Sequence, residues 1–211
     1  MTDLNKDLRE NLRSIAEVKP PQIEEEFISN DGTKKFLIKL NSGSMVEMVV
    51  IPDGKRKTLC ISSQAGCALQ CSFCATGAQG FDQNLRSDEI IGQLWLANFY
   101  NNNEEPISNI VFMGMGEPLL NFDAVIESAK IMKDQKAYGL SRKKITISTS
   151  GIVPNIERIN DFVDVSLAVS LHASNDKLRD EIVPINRKYP LKLLIQSCKN
   201  FLKNHQNRRH I

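Results

Sequence analysis

Apolar residues recur at helical spacing near the start of the chain, where Leu4, Leu8, Leu12 and Ile15 stand among charges. The pattern predicts an amphipathic helix over 2–18 that stops before Pro20 and Pro21. Residues 35–40 and 45–51 then read as strands joined by NSGS (41–44), a glycine-bearing hairpin loop. From residue 58 the texture changes. Short apolar runs at 58–62, 109–113, 144–148 and 163–171 alternate with helical stretches at 88–100, 122–136, 154–160, 177–181 and 191–204. Strand and helix in alternation imply parallel βα units with right-handed crossovers, hence an α/β core over 58–211 preceded by a helix and hairpin over 1–57. The run 206–211 reads as the start of another strand.

Composition frames this without choosing a function. At 211 residues and 41% hydrophobic, the chain can bury a substantial single core. There is no run of eighteen apolar residues, and MTDLNKD lacks the basic-then-apolar order of a secretory signal, so a cytoplasmic protein without a membrane span is expected. Five cysteines, clustered toward one loop, argue against a disulfide scaffold and agree with a reducing compartment. A net charge of +2 does not prove nucleic-acid binding. Lys55, Arg56 and Lys57, with Arg208 and Arg209, read either as solvated loops or as RNA contacts.

The chemistry concentrates in GCALQCSFC (66–74), where Cys67, Cys71 and Cys74 stand in the frame C-x3-C-x2-C just after the first apolar run. Four thiolates would saturate a [4Fe–4S] cluster, whereas three leave one iron free to bind and orient a small molecule. The alternative is zinc, which needs a closed set of four ligands. Its fourth would have to be Cys60, Cys198, His172, His205 or His210.

In a layout of parallel βα units, ligand chemistry gathers at the carboxyl ends of the strands, where the loops converge. The cysteine loop follows the first such strand, GMGEP (114–118) the second and STSG (148–151) the third, while Ser170, Leu171 and His172 end the fourth. Four separated motifs on one rim favour one shared pocket. Gly114 and Gly116 let backbone approach a ligand, and Glu117 offers a carboxylate to a cationic group, although a glycine turn ending a strand is also a common structural device. Ser148 and Ser170 read as ligand hydrogen bonders or as strand caps. His172 reads as a zinc ligand, a proton carrier or a pocket wall. In MVEMVVI (45–51), alternation turns Glu47 to the face of Met45, Val49 and Ile51, where apolar neighbours would raise its pKa; the other reading is an exposed edge-strand Glu.

The cysteine frame, with Phe73 before its last cysteine, resembles the radical S-adenosylmethionine (SAM) enzymes, in which that aromatic residue lies beside the SAM adenine. CISSQAGC (60–67), GAQGF (77–81), GMGEP and STSG together resemble one branch, the dual-specificity 23S rRNA and tRNA adenine-C2 methyltransferases, over residues 2–211. Gln83 stands where that branch usually carries Arg.

The resemblance implies a partial radical-SAM (β/α)-type barrel with outer helices. It implies a [4Fe–4S] cluster on Cys67, Cys71 and Cys74, and SAM held by Phe73, Gly116, Glu117, Ser148, Ser170, Leu171 and His172. Glu47 matches the proton acceptor, and Cys60 a second functional thiol whose structural alternative is a small buried apolar residue. The substrates implied are 23S rRNA and tRNA, with an electron donor such as flavodoxin. In the implied mechanism a methylated protein cysteine is activated by radical chemistry, adds to an unstacked adenine, and leaves an adduct resolved by a second thiol and a base.

The methyl-carrying cysteine of this branch lies beyond the position equivalent to Ile211, and Cys198, in an amphipathic helical stretch, reads as packing. The amino-terminal accessory domain of the branch is also almost wholly missing from the pattern. The 211-residue chain is therefore expected to hold four βα units of a six-unit barrel, to expose the edge of its fourth strand and to lack methyl transfer by itself. A cluster- and SAM-binding module without methyl transfer, and a relative that modifies adenine carbon 8, are the alternatives.

Overall fold

A computed structural model describes residues 4–17, 19–100 and 105–207. Its centre is a seven-stranded sheet in the order β1-β2-β3-β4-β7-β8-β9. Helix α1 (Lys6–Ile15) precedes it, capped by the Asn5 side chain, which accepts from Leu8 N–H at 2.7 Å. No residue of α1 is buried, so its apolar stripe is not part of the core. Thr2 and Val18, the expected limits of that helix, lie outside the described residues.

Strand β1 (Gln22–Ile28) was not anticipated, because the run Glu24, Glu25 and Glu26 hides its alternation. It pairs antiparallel with β2 (Lys34–Lys39), which forms the expected hairpin with β3 (Met45–Asp53). Strand β4 (Arg56–Cys60) then does two things at once: it is antiparallel to β3 and parallel to β7 (Asn109–Phe112). The hairpin region and the βα core are consequently one continuous sheet across residues 57 and 58. A separate two-stranded sheet, β5 (Gln64–Gly66) with β6 (Phe81–Asn84), brackets the cysteine loop and the short helix α2 (Ala75–Ala78) within it.

The parallel half runs β4, β7, β8 (Ile145–Thr149) and β9 (Ser166–Val169), with α3 (Ser87–Phe99), α4 (Phe122–Lys133) and α5 (Val153–Phe162) as the intervening helices. After β9 come α6 (Asp176–Ile182) and α7 (Leu191–Asn207). Gln206 and Asn207, expected to open a strand, instead end α7; residues 208–211, including Arg208, Arg209 and His210, lie outside the described residues. Strand β9 is shorter than the expected 163–171 and only half-buried throughout, as the last strand of the described sheet.

Burial explains the alternation within the parallel strands. Leu59, Ile110, Phe112, Ile145 and Ile147 face the helices and are sealed against residues such as Ile90, Leu94, Val125, Ala129, Ile156 and Ile159. Each such side chain contributes roughly 1.5–3 kcal/mol relative to exposure. The intervening residues Thr58, Cys60, Val111, Thr146, Ser148 and Ser166 are half-buried on the opposite face. That face is polar and open, which suits a barrel lumen that receives a ligand.

Candidate active site

The cysteine loop hangs between β5 and α2, and its geometry begins with Gly66. There φ is +72°, and a Cβ would lie 1.9 Å from the Gly80 carbonyl oxygen, so only glycine fits where the two arms of the loop cross. Cys67 N–H donates to that same Gly80 oxygen at 2.9 Å, and Cys74 N–H closes a turn onto the Cys71 carbonyl at 3.0 Å.

All three cysteines line one cavity of about 410 Å³ at the carboxyl ends of the parallel strands. The same cavity is lined by Phe73, Gly114, Gly116, Glu117, Ser148, Ser170 and His172, so the rim motifs do converge. Leu171 is not among the lining residues: it is 46% exposed, and its carbonyl oxygen accepts from Arg179. Phe73 and His172, from opposite sides of the mouth, place their ring centroids 4.4 Å apart at 50°.

Glu117 is the most demanding group in the cavity. It is 3% exposed, its Oε1 accepts from Leu119 N–H at 3.0 Å, and its Oε2 accepts from Ser150 N–H at 2.7 Å. Burial pushes its carboxyl above the ordinary value, and hydrogen bonds from Ser150, Thr149 and Leu119 oppose that shift. Among the described residues no Lys or Arg pairs with it. The adjoining loop is fixed by Gly116, at φ +94°, where a Cβ would meet the Gln64 side chain at 2.4 Å; Gln64 Oε1 in turn accepts from Glu117 N–H at 2.8 Å.

The donor set fits an iron–sulfur cluster. Burial pushes the Cys67 and Cys71 thiols up, and the neighbouring thiols and Glu117 add to the shift, so this concentration of anion-forming groups calls for a cationic partner. Among the described residues no three His, Cys, Asp or Glu side chains are grouped to share a single metal ion. A cubane cluster makes no such demand, because each thiolate binds a different iron. Among the described residues a closed four-ligand zinc site therefore has no geometric support, and His172 lines the cavity beside Phe73.

Cys60 and Glu47 lie on the same sheet face, and neither lines this cavity. Cys60 pairs with Val49 on one side and Val111 on the other, and burial pushes its thiol up to about 11 despite a hydrogen bond from the backbone of Met113, a cavity-lining residue. Glu47 shares the face of Met45, Val49 and Ile51, as alternation required. Its surroundings are not the apolar ones expected: its side chain is 45% exposed and pairs with Lys35 at 3.1 Å. Lys35 also sits 5.1 Å above the Phe27 ring on β1, the strand that sequence reading missed. Gln83, in place of the usual Arg, donates to the hydroxyls of Ser42 and Ser44 and ties β6 to the β2–β3 loop. Cys198 packs at the edge of the core.

Two participants escaped sequence reading. Ser150 lines the cavity and donates its N–H to Glu117; the STSG motif held the signal, since a strand-end loop exposes more than its first serine. Arg179 is completely buried, and nothing in the charged segment DKLRDEI distinguishes it from a solvated helix residue.

This combination of parallel βα units with a three-thiol loop at their carboxyl rim agrees with the comparisons. The model of the Radical SAM superfamily matches residues 61–210, and the chain belongs to that superfamily. It is 55% identical over 207 residues to a dual-specificity RNA methyltransferase RlmN of Pseudomonas putida (strain W619), covering 96% of this chain and 54% of that protein. A namesake in Alcanivorax borkumensis is 53% identical over 209 residues, covering 97% and 55%. The crystal structure of a radical SAM methyltransferase from Sphaerobacter thermophilus superposes with a TM-score of 0.89 at 38% identity, over 97% of this chain and 61% of that one. The chain thus spans about half the length of the curated relatives it matches. Among the described residues no helix is long and apolar enough to cross a membrane.

Proposed function

We propose that these residues hold the cluster and SAM of a radical SAM methyltransferase on RNA, directed to carbon 2 of adenine in 23S rRNA and tRNA, whose methyl-carrying cysteine is none of Cys60, Cys67, Cys71, Cys74 and Cys198. The observation that carries this reading is the continuity of one sheet face. By register, Cys60 and, one strand further, Glu47 share the sheet face of Val111, Thr146 and Ser148, and Ser148 lines the three-thiol cavity with Glu117, Phe73 and His172.

A [4Fe–4S] cluster with SAM would supply one-electron cleavage of SAM, the chemistry needed at an adenine carbon that is a poor nucleophile. The residues of the chain do the rest. Cys67, Cys71 and Cys74 would hold the cluster. Glu117, buried without a cationic side chain, receives the SAM ammonium, and Ser148, Ser150 and Ser170 offer hydroxyl and backbone groups along the wall. Phe73 flanks the SAM adenine and, with His172, narrows the mouth against water. Cys60 supplies an un-ionised thiol at neutral pH, suited to resolving an adduct once a base takes its proton, and Glu47, held by Lys35, accepts the proton released from the RNA base. RNA and a small electron donor such as flavodoxin are the partners this reading requires.

The test is mass mapping of 23S rRNA and tRNA from cells whose sole enzyme of this kind is a protein of the relatives' full length that carries these residues. The expected product is 2-methyladenosine. Recovery of 8-methyladenosine, or SAM cleavage without any methylated adenine, would refute the proposed reaction.

A further inference from the structure

A guanidinium is costly to take out of water, yet Arg179 is 0% exposed while its neighbour Leu178 is 45% exposed. The sequence has placed the charge inside and the apolar residue outside, which packing alone would reverse.

The hydrogen bonds show what the charge holds. Nη2 donates to the carbonyl oxygens of Ser150 at 2.6 Å and Ser170 at 3.1 Å, and Nε donates to that of Leu171 at 3.0 Å. Nη1 donates to Asn186 Oδ1 at 2.8 Å. Asn186, also completely buried, donates onward to Asp176 Oδ1 at 2.9 Å and Asp180 Oδ1 at 2.6 Å, so the plane of the guanidinium is itself fixed. The three carbonyls belong to the loops after β8 and β9. Immediately beyond the last of them, His172 adopts φ +58°, a left-handed conformation that a non-glycine residue keeps only when its surroundings impose it. The helix that carries Arg179 also reaches the cysteine loop, since Ser72 N–H donates to the Ile182 carbonyl at 3.2 Å.

We propose that Arg179 is a positioning residue for the cofactor rim, one buried cation that locks the loops after β8 and β9 to each other and holds His172 in its left-handed turn opposite Phe73. Arg179 does not line the cavity; it acts through the backbone of Ser150, Ser170 and Leu171. Its relevance to SAM rests on the function proposed above, whereas its hold on the rim does not.

The experiment compares the parent protein with Arg179→Lys, which keeps the charge on a single nitrogen, and Arg179→Gln, which removes it. Amide hydrogen exchange on the cofactor-free proteins is read at residues 170–173 and at Ser72, with α3 and α4 as internal reference. The expected result in both variants is exchange about tenfold faster at the rim, with α3 and α4 unchanged. After anaerobic reconstitution, iron content should be retained and SAM affinity should fall by about tenfold, since every contact made from the rim depends on its placement.

Rim exchange within twofold of the parent would overturn the proposal. So would acceleration spread evenly through α3 and α4, which would make Arg179 a general stabilising residue, and so would a loosened rim with unaltered SAM affinity. A parent protein that binds no SAM would count against the proposed function, and the exchange data would still decide whether Arg179 holds the rim.

Discussion

The backbone N–H of Ser150 donates to Glu117 Oε2 at 2.7 Å, so the loops after β7 and β8 are joined through one buried carboxylate. That oxygen fixes the shape of the cavity and also carries the charge available to a cationic ligand. Position and charge can be separated by substitution.

Glu117→Gln preserves an acceptor for one backbone N–H while removing the negative charge. SAM affinity should fall by about tenfold to a hundredfold, the equivalent of losing a hydrogen bond to a charged group, roughly 1.5–3 kcal/mol. Cluster absorbance should be unchanged. Calorimetric titration of the reconstituted protein with SAM decides it, and an unaltered dissociation constant would remove Glu117 from the SAM site.

Replacing Cys67, Cys71 or Cys74 by Ala should each reduce bound iron from about four per chain to a small residue, because a cubane held by two thiolates is exposed and readily lost. Iron and sulfide analysis with electron paramagnetic resonance measures this. A Cys71→Ala protein that still released 5′-deoxyadenosine from SAM under reducing conditions would contradict the assignment.

Gly66→Ala should be more damaging than any surface substitution nearby. The added Cβ would meet the Gly80 carbonyl oxygen at 1.9 Å in a left-handed backbone, a conformation that alone costs an L-residue about 1–2 kcal/mol. Because the clash is with backbone, relief requires the two arms of the cysteine loop to part. Reduced iron uptake, with the far-ultraviolet circular dichroism of the sheet and helices retained, is the expected outcome.

Cys60 gives a pH signature. Its thiol, at about 11 instead of the ordinary 9.0, stays protonated in the folded state while an unfolded chain begins to ionise. Its contribution to stability is therefore fully present below pH 9 and is lost as pH rises from 9 to 11, on the order of 2–3 kcal/mol. Alkylation of Cys60 in the native protein should be slow near neutrality and accelerate by about tenfold per pH unit toward 11, tracking its thiolate fraction. Peptide mass spectrometry after timed quenching reads both the site and the rate.

Much of this protein is written locally in its sequence. The frame of Cys67, Cys71 and Cys74 is a matter of spacing along one loop, and the alternation of apolar runs with helical periods specifies parallel βα units. Those units bring GMGEP, STSG and the end of β9 to one rim, because strands in parallel register all end on the same side.

What the sequence could not state is which distant groups meet. Strand β1 is polar enough to pass for a loop, and it is a strand because β2 offers a paired edge. Glu47 faces the side that alternation assigns it, but only the pairing of β2 with β3 sets Lys35 beside it. Leu171 stands in a stretch expected to bind cofactor yet lends its carbonyl to Arg179, and Arg179, charged and in a charged helix, is sealed inside. A side chain's burial and partners depend on register and loop closure across the whole sheet, and these are properties of the folded chain that no local pattern of residues carries.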